Sequence, residues 1–401
     1  MRILAIDENH PMPDRASGGV RFSALLECLA REHRVVFCAY SAVRWLDEAE
    51  VNRYRAALEK LGVIVRDGNP VAALRSEPFD AIWFGYYRPA SLYTDEARFW
   101  QPTARILVDS VDVHFNRLFA KARLTAAEKD YTHAQEVKTQ ELATYRKADV
   151  VIAVSEEDRR ILQQEVQDLP VEVIPNIHRV PFLAESKNKI ANSLLFVGNF
   201  RHHPNVDAML YFCKEILSLI EREAPGVRLT IVGNSPPAEV EGLARDNVEV
   251  LGFVPDIGSL LEASDISIAP LRYGGGIKGK IGEAMAYGLP VVTTSVGTEG
   301  FGLSPGQNVL VGNTPEAFAS AVVQLIRDRE LHEKVRRAAW TFVNERYSVS
   351  AVSKRIRDLF GRLGGYPVKK LSSAQRLTKT VRYRLDRHVF WRLRQARRGK
   401  A

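Results

Sequence analysis

The chain has 401 residues, 46% of them hydrophobic, with 56 Lys and Arg against 48 Asp and Glu. The length excludes a single small domain, and the composition excludes general disorder. Residues 366–401 hold 12 basic side chains and one acid, Asp386; residues 1–365 therefore carry 44 basic and 47 acidic groups, which excludes a body built to coat nucleic acid.

In chain order, apolar runs predict strands over 2–6, 34–39, 63–66, 81–85, 105–109, 150–154 and 171–174, with helices between them such as 21–32 and 125–147. The strands are rich in Val and Ile without strict alternation, as strands are when a parallel sheet buries both faces. A polar stretch over 185–193 interrupts the pattern. It restarts with strands over 194–197, 228–232, 248–251, 266–269 and 291–294, and helices over 206–223, 237–244, 257–264 and 280–287. Helices over 315–346 and 349–363 follow. Two successive strand–helix runs predict an α/β protein of two facing Rossmann-like, doubly wound domains, 1–185 and 190–345, with a basic helical tail in 346–401. The expected site is the cleft between them, at the carboxyl ends of the strands.

Cys28, Cys38 and Cys213 lack paired spacing, which argues against a disulfide framework or zinc site and fits a reducing compartment. The start, MRILAIDENH, is broken by Asp7 and Glu8, so no signal peptide is expected. No window approaches about 18 uncharged apolar residues, so no transmembrane helix is expected.

Four segments can carry chemistry. In ENHPMPDRASGGVR, residues 8–21, Gly18 and Gly19 allow a tight turn and leave amides facing outward at a helix start. An anion or sugar hydroxyl can bind there, although a plain loop needing positive φ has the same pattern. The spacing is not GxGxxG, so the dinucleotide fingerprint is absent. In DSVDVHFNR, residues 109–117, Asp112 and His114 face one side of an extended segment. The carboxylate can orient an imidazole that titrates near neutrality; a strand-end pair without chemistry fits equally.

The segment YGGGIKGKIGEAMAYGLPVVTTSVGTEG, residues 273–300, is the most informative. Gly274, Gly275 and Gly276 precede Lys278 and Lys280 at a helix start, which is physically a phosphate cradle. Glu283 lies one turn beyond Lys280 on the same face, where a carboxylate suits hydroxyls such as a ribose diol. A solvated Lys280–Glu283 pair is the bland alternative. In VGNFRHHPN, residues 197–205, Arg201 offers a planar fork for phosphate. His202 and His203 diverge as neighbours with no third ligand in view, so no metal is expected. The absence of Asp-x-Asp likewise favours cations and helix dipoles over a divalent ion at a departing diphosphate.

These segments, with VIPN at 173–176, LLFVGNF, VRLTIVGN and VEVLGFVPD in order, resemble glycosyltransferase family four, the retaining transferases of the glycosyltransferase B fold. The resemblance covers about residues 1–345 and is strongest over 194–312. It implies a C-terminal domain for the nucleotide-sugar donor and an N-terminal domain for the acceptor. It makes Glu283 the ribose carboxylate and Lys280 a cation near the diphosphate. It places Phe253 and Val254 in the loop that meets the base. Gly18 and Gly19 match the loop near the phosphates and acceptor, and His114 falls near the catalytic histidine. The chain departs from the family at Gly275, where a second glutamate is common, and at Asn199 and Pro204, where Arg and Lys are common. Arg201 and Lys278 are the nearest substitutes.

Leu377, Val381, Leu385, Val389 and Leu393 recur every four residues over 374–394, among arginines and with Phe390 and Trp391. That is a basic amphipathic helix suited to an anionic membrane surface. A helix packed across the N-terminal domain or a solvated charge run has the same pattern; nucleic acid is not an expected partner. The whole implies a cytoplasmic, peripheral membrane enzyme of polysaccharide biosynthesis. It would be a retaining, metal-independent, hexosyltransferase-like enzyme, without cofactor, moving a sugar from a nucleotide-diphosphate sugar to a glycan or lipid-linked acceptor. The alternatives are a nucleotide-sugar 2-epimerase on the same fold and a non-catalytic membrane or nucleic-acid adaptor.

Overall fold

The computed structural model describes residues 1–15, 17–41, 46–181, 183, 189–274 and 277–385. The first half runs β1 (Arg2–Asp7), α1 (Ser17–Ala30), β2 (Arg34–Ala39), α2 (Glu48–Lys60), β3 (Ile64–Val65), α3 (Pro70–Ser76) and β4 (Ala81–Phe84). It continues through α4 (Tyr87–Trp100), β5 (Arg105–Asp109), α5 (His114–Thr125), α6 (Glu128–Tyr145), β6 (Val150–Ala153), α7 (Glu156–Glu165) and β7 (Val171–Val173). The second half holds β8 (Ser193–Val197), α8 (His203–Tyr211), a π-helical turn (Phe212–Ile216), α9 (Leu217–Glu223), β9 (Arg228–Val232), α10 (Ala238–Glu241) and β10 (Val248–Gly252). Next come α11 (Gly258–Ala263), β11 (Ile266–Ala269), α12 (Gly279–Ala286), β12 (Val291–Thr293), α13 (Ser295–Thr298) and β13 (Leu310–Val311). Helices α14 (Pro315–Arg327), α15 (Arg329–Tyr347), α16 (Val349–Arg362) and α17 (Ser373–Leu385) end the described chain.

Both sheets are wholly parallel, and they share one topology. The first has the order β3-β2-β1-β4-β5-β6-β7 and the second β10-β9-β8-β11-β12-β13. The strand order reverses between β1 and β4, and again between β8 and β11. At such a switch point the two connections leave in opposite directions and open a crevice at the carboxyl ends. The loops after β1 and after β8 therefore face the place where a ligand fits. Along β1 the side chains alternate between two cores: Leu4 and Ile6 pack on one face, Ile3 and Ala5 on the other. All four are fully buried, which is why the strands read as continuous apolar runs.

The chain crosses between halves twice, side by side. His178 donates its amide to the Tyr347 carbonyl at 2.8 Å, and His178 and Ser348 form a bridge. Beyond Ser348, helix α16 returns to the first half. Its Val352, Ile356, Leu359 and Phe360 join the core of Leu25, Leu29 and Trp83, with Phe360 stacked on Trp83 at 6.2 Å. The sequence set 346–401 apart as a C-terminal segment; its first helix shares a core with β1 and α1.

Three boundaries differ for local reasons. The helix expected over 315–346 is two helices broken at Asp328, whose side chain accepts from the Leu331 amide at 2.9 Å and caps α15. The helix expected over 206–223 carries the π-helical turn. Helix α1 starts at Ser17 rather than 21, so Gly18 and Gly19 lie in its first turn, and neither has positive φ.

Candidate active site in the interdomain cleft

A cavity of about 600 Å³ lies between the two sheets and is lined from both halves. The first half contributes Arg15, Arg21, Asp112 and Arg117; the second contributes Arg201, His202, Phe253, Val254, Lys278, Lys280 and Glu283. Seven of the residues singled out in the sequence thus share one wall system: Asp112, Arg201, Phe253, Val254, Lys278, Lys280 and Glu283. Gly18, Gly19 and His114 stand beside the cavity without lining it, and Gly275 and Gly276 lie outside the described residues.

Helix α12 points its N-terminus into this space. Lys278 is its N-cap residue and makes no side-chain cap bond. The Ile281 amide donates to the Lys278 carbonyl at 2.9 Å, so it is the Gly279 and Lys280 amides, with the positive end of the helix dipole, that face the cavity. Lys280 hydrogen-bonds Asn205 Oδ1, and its ammonium sits 4.3 Å from the centre of the Phe196 ring. Burial pulls Lys280 down to about 7. Burial also pushes Glu283 up to about 7. Neither is in an ion pair among the described residues, so the solvated Lys280–Glu283 pair is not what forms. Lys278 differs: it is 8% exposed, with Nζ 3.3 Å from Glu299 Oε2. Burial lowers its pKa and Glu299 partly restores it. Among the described residues Lys280 has no acidic partner, while Lys278 is already matched by Glu299.

Asp112 and His114 do meet, but not along a strand. The chain turns sharply after β5 and His114 opens α5. His114 Nδ1 lies 3.0 Å from Asp112 Oδ1, and Arg117 Nε lies 2.7 Å from Asp112 Oδ2. Buried Glu141 from α6 accepts from the His114 and Phe115 amides at 3.2 and 3.1 Å and so caps the start of α5. Burial would raise Asp112, but His114 and Arg117 hold it below the usual carboxylate range. Burial would lower His114, but Asp112 and Glu141 hold it above its ordinary value. Its ring is flanked by Tyr87 at 5.0 Å and Tyr86 at 6.4 Å. His114 therefore backs Asp112 from behind the wall.

The turn is held by an unusual backbone. Val111 has φ +60°, a left-handed conformation that a β-branched residue rarely takes. Its amide is tied to Asp109 Oδ1 at 3.0 Å, and the Asp112 amide to the Ser110 carbonyl at 2.6 Å.

The halves also touch across the cleft. Asn199 Nδ2 donates to the Arg15 carbonyl at 3.0 Å, and the Arg15 guanidinium lies 5.6 Å from the centre of the Phe253 ring. Gly19 is glycine because a Cβ there would lie 2.4 Å from the Met12 carbonyl oxygen, which lets the loop after β1 fold close onto α1. His202 caps α8 and is held neutral: burial, then Arg117 and Lys280, pull it down to about 4.

Sequence reasoning did not single out Arg117, Arg15 or Asn205. Arg117 ends the quoted 109–117 segment. Its pairing with Asp112 is visible only once α5 is known to start at His114. Among the described residues no cluster of three or more His, Cys, Asp and Glu is placed to hold a metal ion.

Solved structures share this two-sheet arrangement. The sucrose-phosphate synthase of Thermosynechococcus elongatus superposes with TM-score 0.69 at 15% identity, over 92% of this chain and 100% of that one. Anabaena Alr3699/HepE, solved in complex with UDP, superposes with TM-score 0.67 at 15% identity, over 90% of this chain and 100% of that one. This is the glycosyltransferase B fold. Residues 191–328, the half that carries α12, also match the family model described as Glycosyl transferases group 1. In sequence, the chain is 25% identical over 192 residues to an uncharacterized 44.6 kDa protein in the cps region of Klebsiella pneumoniae, covering 46% of this chain. It is 25% identical over 290 residues to the alpha-D-kanosaminyltransferase of Streptomyces kanamyceticus, covering 63% of this chain and 70% of that protein. The chain spans about half, 49%, of the Klebsiella protein's length. Within the glycosyltransferase B fold, the cavity described here lies between the two domains.

Proposed function

We propose that this chain is a retaining glycosyltransferase that moves a sugar from a nucleotide-diphosphate sugar to a glycan or lipid-linked acceptor. The observation that carries the reading is the N-terminus of α12. There, Lys280 and Glu283 stand on the cavity wall without ion-pair partners among the described residues, beside unpaired helix amides. A diphosphate matches the cation and the amides, and a ribose diol matches the carboxylate. The match of residues 191–328 to Glycosyl transferases group 1 supports the class, and the UDP bound to Alr3699/HepE supports a nucleotide donor.

In the reaction, the bond from the anomeric carbon to the diphosphate oxygen breaks, and its electron pair leaves with that oxygen. The acceptor hydroxyl forms its bond to the same carbon from the same face. Its proton passes to the departing phosphate oxygen. Lys280, Arg201 and the α12 amides stabilise the charge that develops there, so no divalent ion is needed. Glu283 holds the ribose, and Phe253 with Val254 borders the base. Asp112 faces the transferred sugar, with His114 fixing its position and charge.

The enzyme works at the cytoplasmic face of a membrane in this reading. Helix α17 meets α4 through Lys379, 2.5 Å from Glu96, and through Tyr383, stacked on Phe99 at 5.4 Å and edge-on to Trp100 at 4.9 Å. Leu377 and Val381 point away from that contact and are 65% and 48% exposed. An outward apolar stripe set among arginines suits an anionic lipid surface. Residues 386–394, which continue the stripe in the sequence, lie outside the described residues.

Nucleoside diphosphates screened by thermal shift test the core of this reading. One of them should stabilise the protein, and Glu283→Gln and Lys280→Ala should each abolish donor hydrolysis and transfer. Full activity in both variants would overturn it.

A further inference from the structure

Arg117 has no role in the sequence pattern, yet it lines the cavity from the first half. Its Nε is spent on Asp112 at 2.7 Å, and its other nitrogens have no partner among the described residues. It stands near enough to His202, across the cleft, to depress that ring's pKa, as Lys280 does. Three nitrogen-bearing groups from the two halves, Arg117, His202 and Lys280, therefore converge with one carboxylate, Asp112, behind the arginine. An anion placed between Arg117 and Lys280 would meet donors from both halves and would favour the ammonium form of Lys280.

The aim of Arg117 is built into the backbone. Val111 is held left-handed, and the turn it makes presents Asp112 to Arg117 from just before the helix that carries the arginine. Strain of this kind persists where the surroundings over-determine it, and it gathers at functional sites. In the second half, Asn199 spends its side chain on the Arg15 carbonyl, and Pro204 brings no charge to the lining.

We infer that Arg117 is a diphosphate-binding residue supplied by the acceptor half. It donates its free Nη edge to the departing phosphate oxygens opposite Lys280, with Asp112 as its positioning residue. This rests on the donor reading above and adds the partner that faces α12. The guanidinium takes no part in bond making; it supplies charge-assisted hydrogen bonds to the oxygen that receives the electron pair. The consequence is a link between domains: the phosphates are fully gripped only when the two halves are closed on them.

The test is isothermal titration of the full chain with the diphosphates of uridine, guanosine, adenosine and thymidine, and with the matching free nucleosides. Arg117→Ala should weaken the bound diphosphate by about 10- to 100-fold and leave its nucleoside unchanged. Arg117→Lys should fall between, because it keeps the charge and loses the fork. Asp112→Asn should weaken the diphosphate less than Arg117→Ala does. Unchanged diphosphate binding in Arg117→Ala, with a loss in Glu283→Gln, would overturn this role and leave the donor reading standing. Equal weakening of diphosphate and nucleoside would also overturn it, since the loss would not be borne by phosphate. A parent protein that binds none of the diphosphates overturns the donor reading and this role together.

Discussion

At the scale of single residues, burial governs the charge of the two groups that stand at the start of α12. Lys280 near 7 and Glu283 near 7 both lose charge to burial. For Lys280 the folded value lies below the unfolded one, so between about 7 and 10 the unfolded chain binds the extra proton and the cost of the buried ammonium fades as pH rises. A bound diphosphate reverses this by favouring the ammonium. At about pH 8 the binding of a nucleoside diphosphate should therefore take up close to one proton, while Glu283 is already ionised and contributes little. Titration in two buffers of different ionisation enthalpy measures the uptake, and Lys280→Met should remove it. Binding without proton uptake in the parent would show that Lys280 is not at the phosphates. Val111 gives a second prediction. Relief of its backbone strain, about 1–3 kcal/mol, exceeds the roughly 0.5–1 kcal/mol that glycine costs in chain freedom. Val111→Gly should be at least as stable as the parent to chemical denaturation, while transfer falls as Asp112 and Arg117 lose their fixed aim. A loss of more than about 1 kcal/mol would show that the left-handed turn stores no strain.

At the scale of elements, α16 is the strap that makes the C-terminal segment part of the first half. Its buried face meets α1 and the strands beneath them, and Leu359 is fully buried there. Leu359→Ala should cost about 2–5 kcal/mol, from lost transfer energy and the space left behind. Hydrogen exchange should report the loss in α1 and β1; loss confined to the second half would contradict this packing. Most element boundaries were legible in sequence, because parallel strands buried on both faces announce themselves as runs of Val and Ile. The break at Asp328 was missed because helical periodicity runs through it; the aspartate that caps α15 is the signal that could have marked it. The extended reading of 109–117 failed because Glu141, distant in sequence, caps α5 at His114. No local spacing could reveal that partner.

At the scale of the whole molecule, the charge divides by region. A body slightly acidic in sum carries a short basic tail, and α17, the described part of that tail, is docked on α4 by Lys379 and Tyr383. The docking leaves Leu377 and Val381 facing outward on the first half. In the full chain, replacing both with Glu should abolish sedimentation with anionic vesicles and spare activity on a soluble acceptor. Unchanged vesicle binding would exclude this face as the membrane contact.

The sequence by itself determined the fold class and pointed to the cleft, with Lys280 and Glu283 at the start of a helix there, because these follow from local periodicity and from which residues can open a helix. It also marked the tail as a separate cationic feature. Only the tertiary structure decided that Lys278 is matched by Glu299 while Lys280 is not. Only the tertiary structure set His114 behind Asp112 and placed Arg117 in the lining of the same cavity as His202 and Lys280. Those outcomes depend on which side chains meet across two domains, and that is fixed by how two independent sheets are set against each other rather than by any window of sequence.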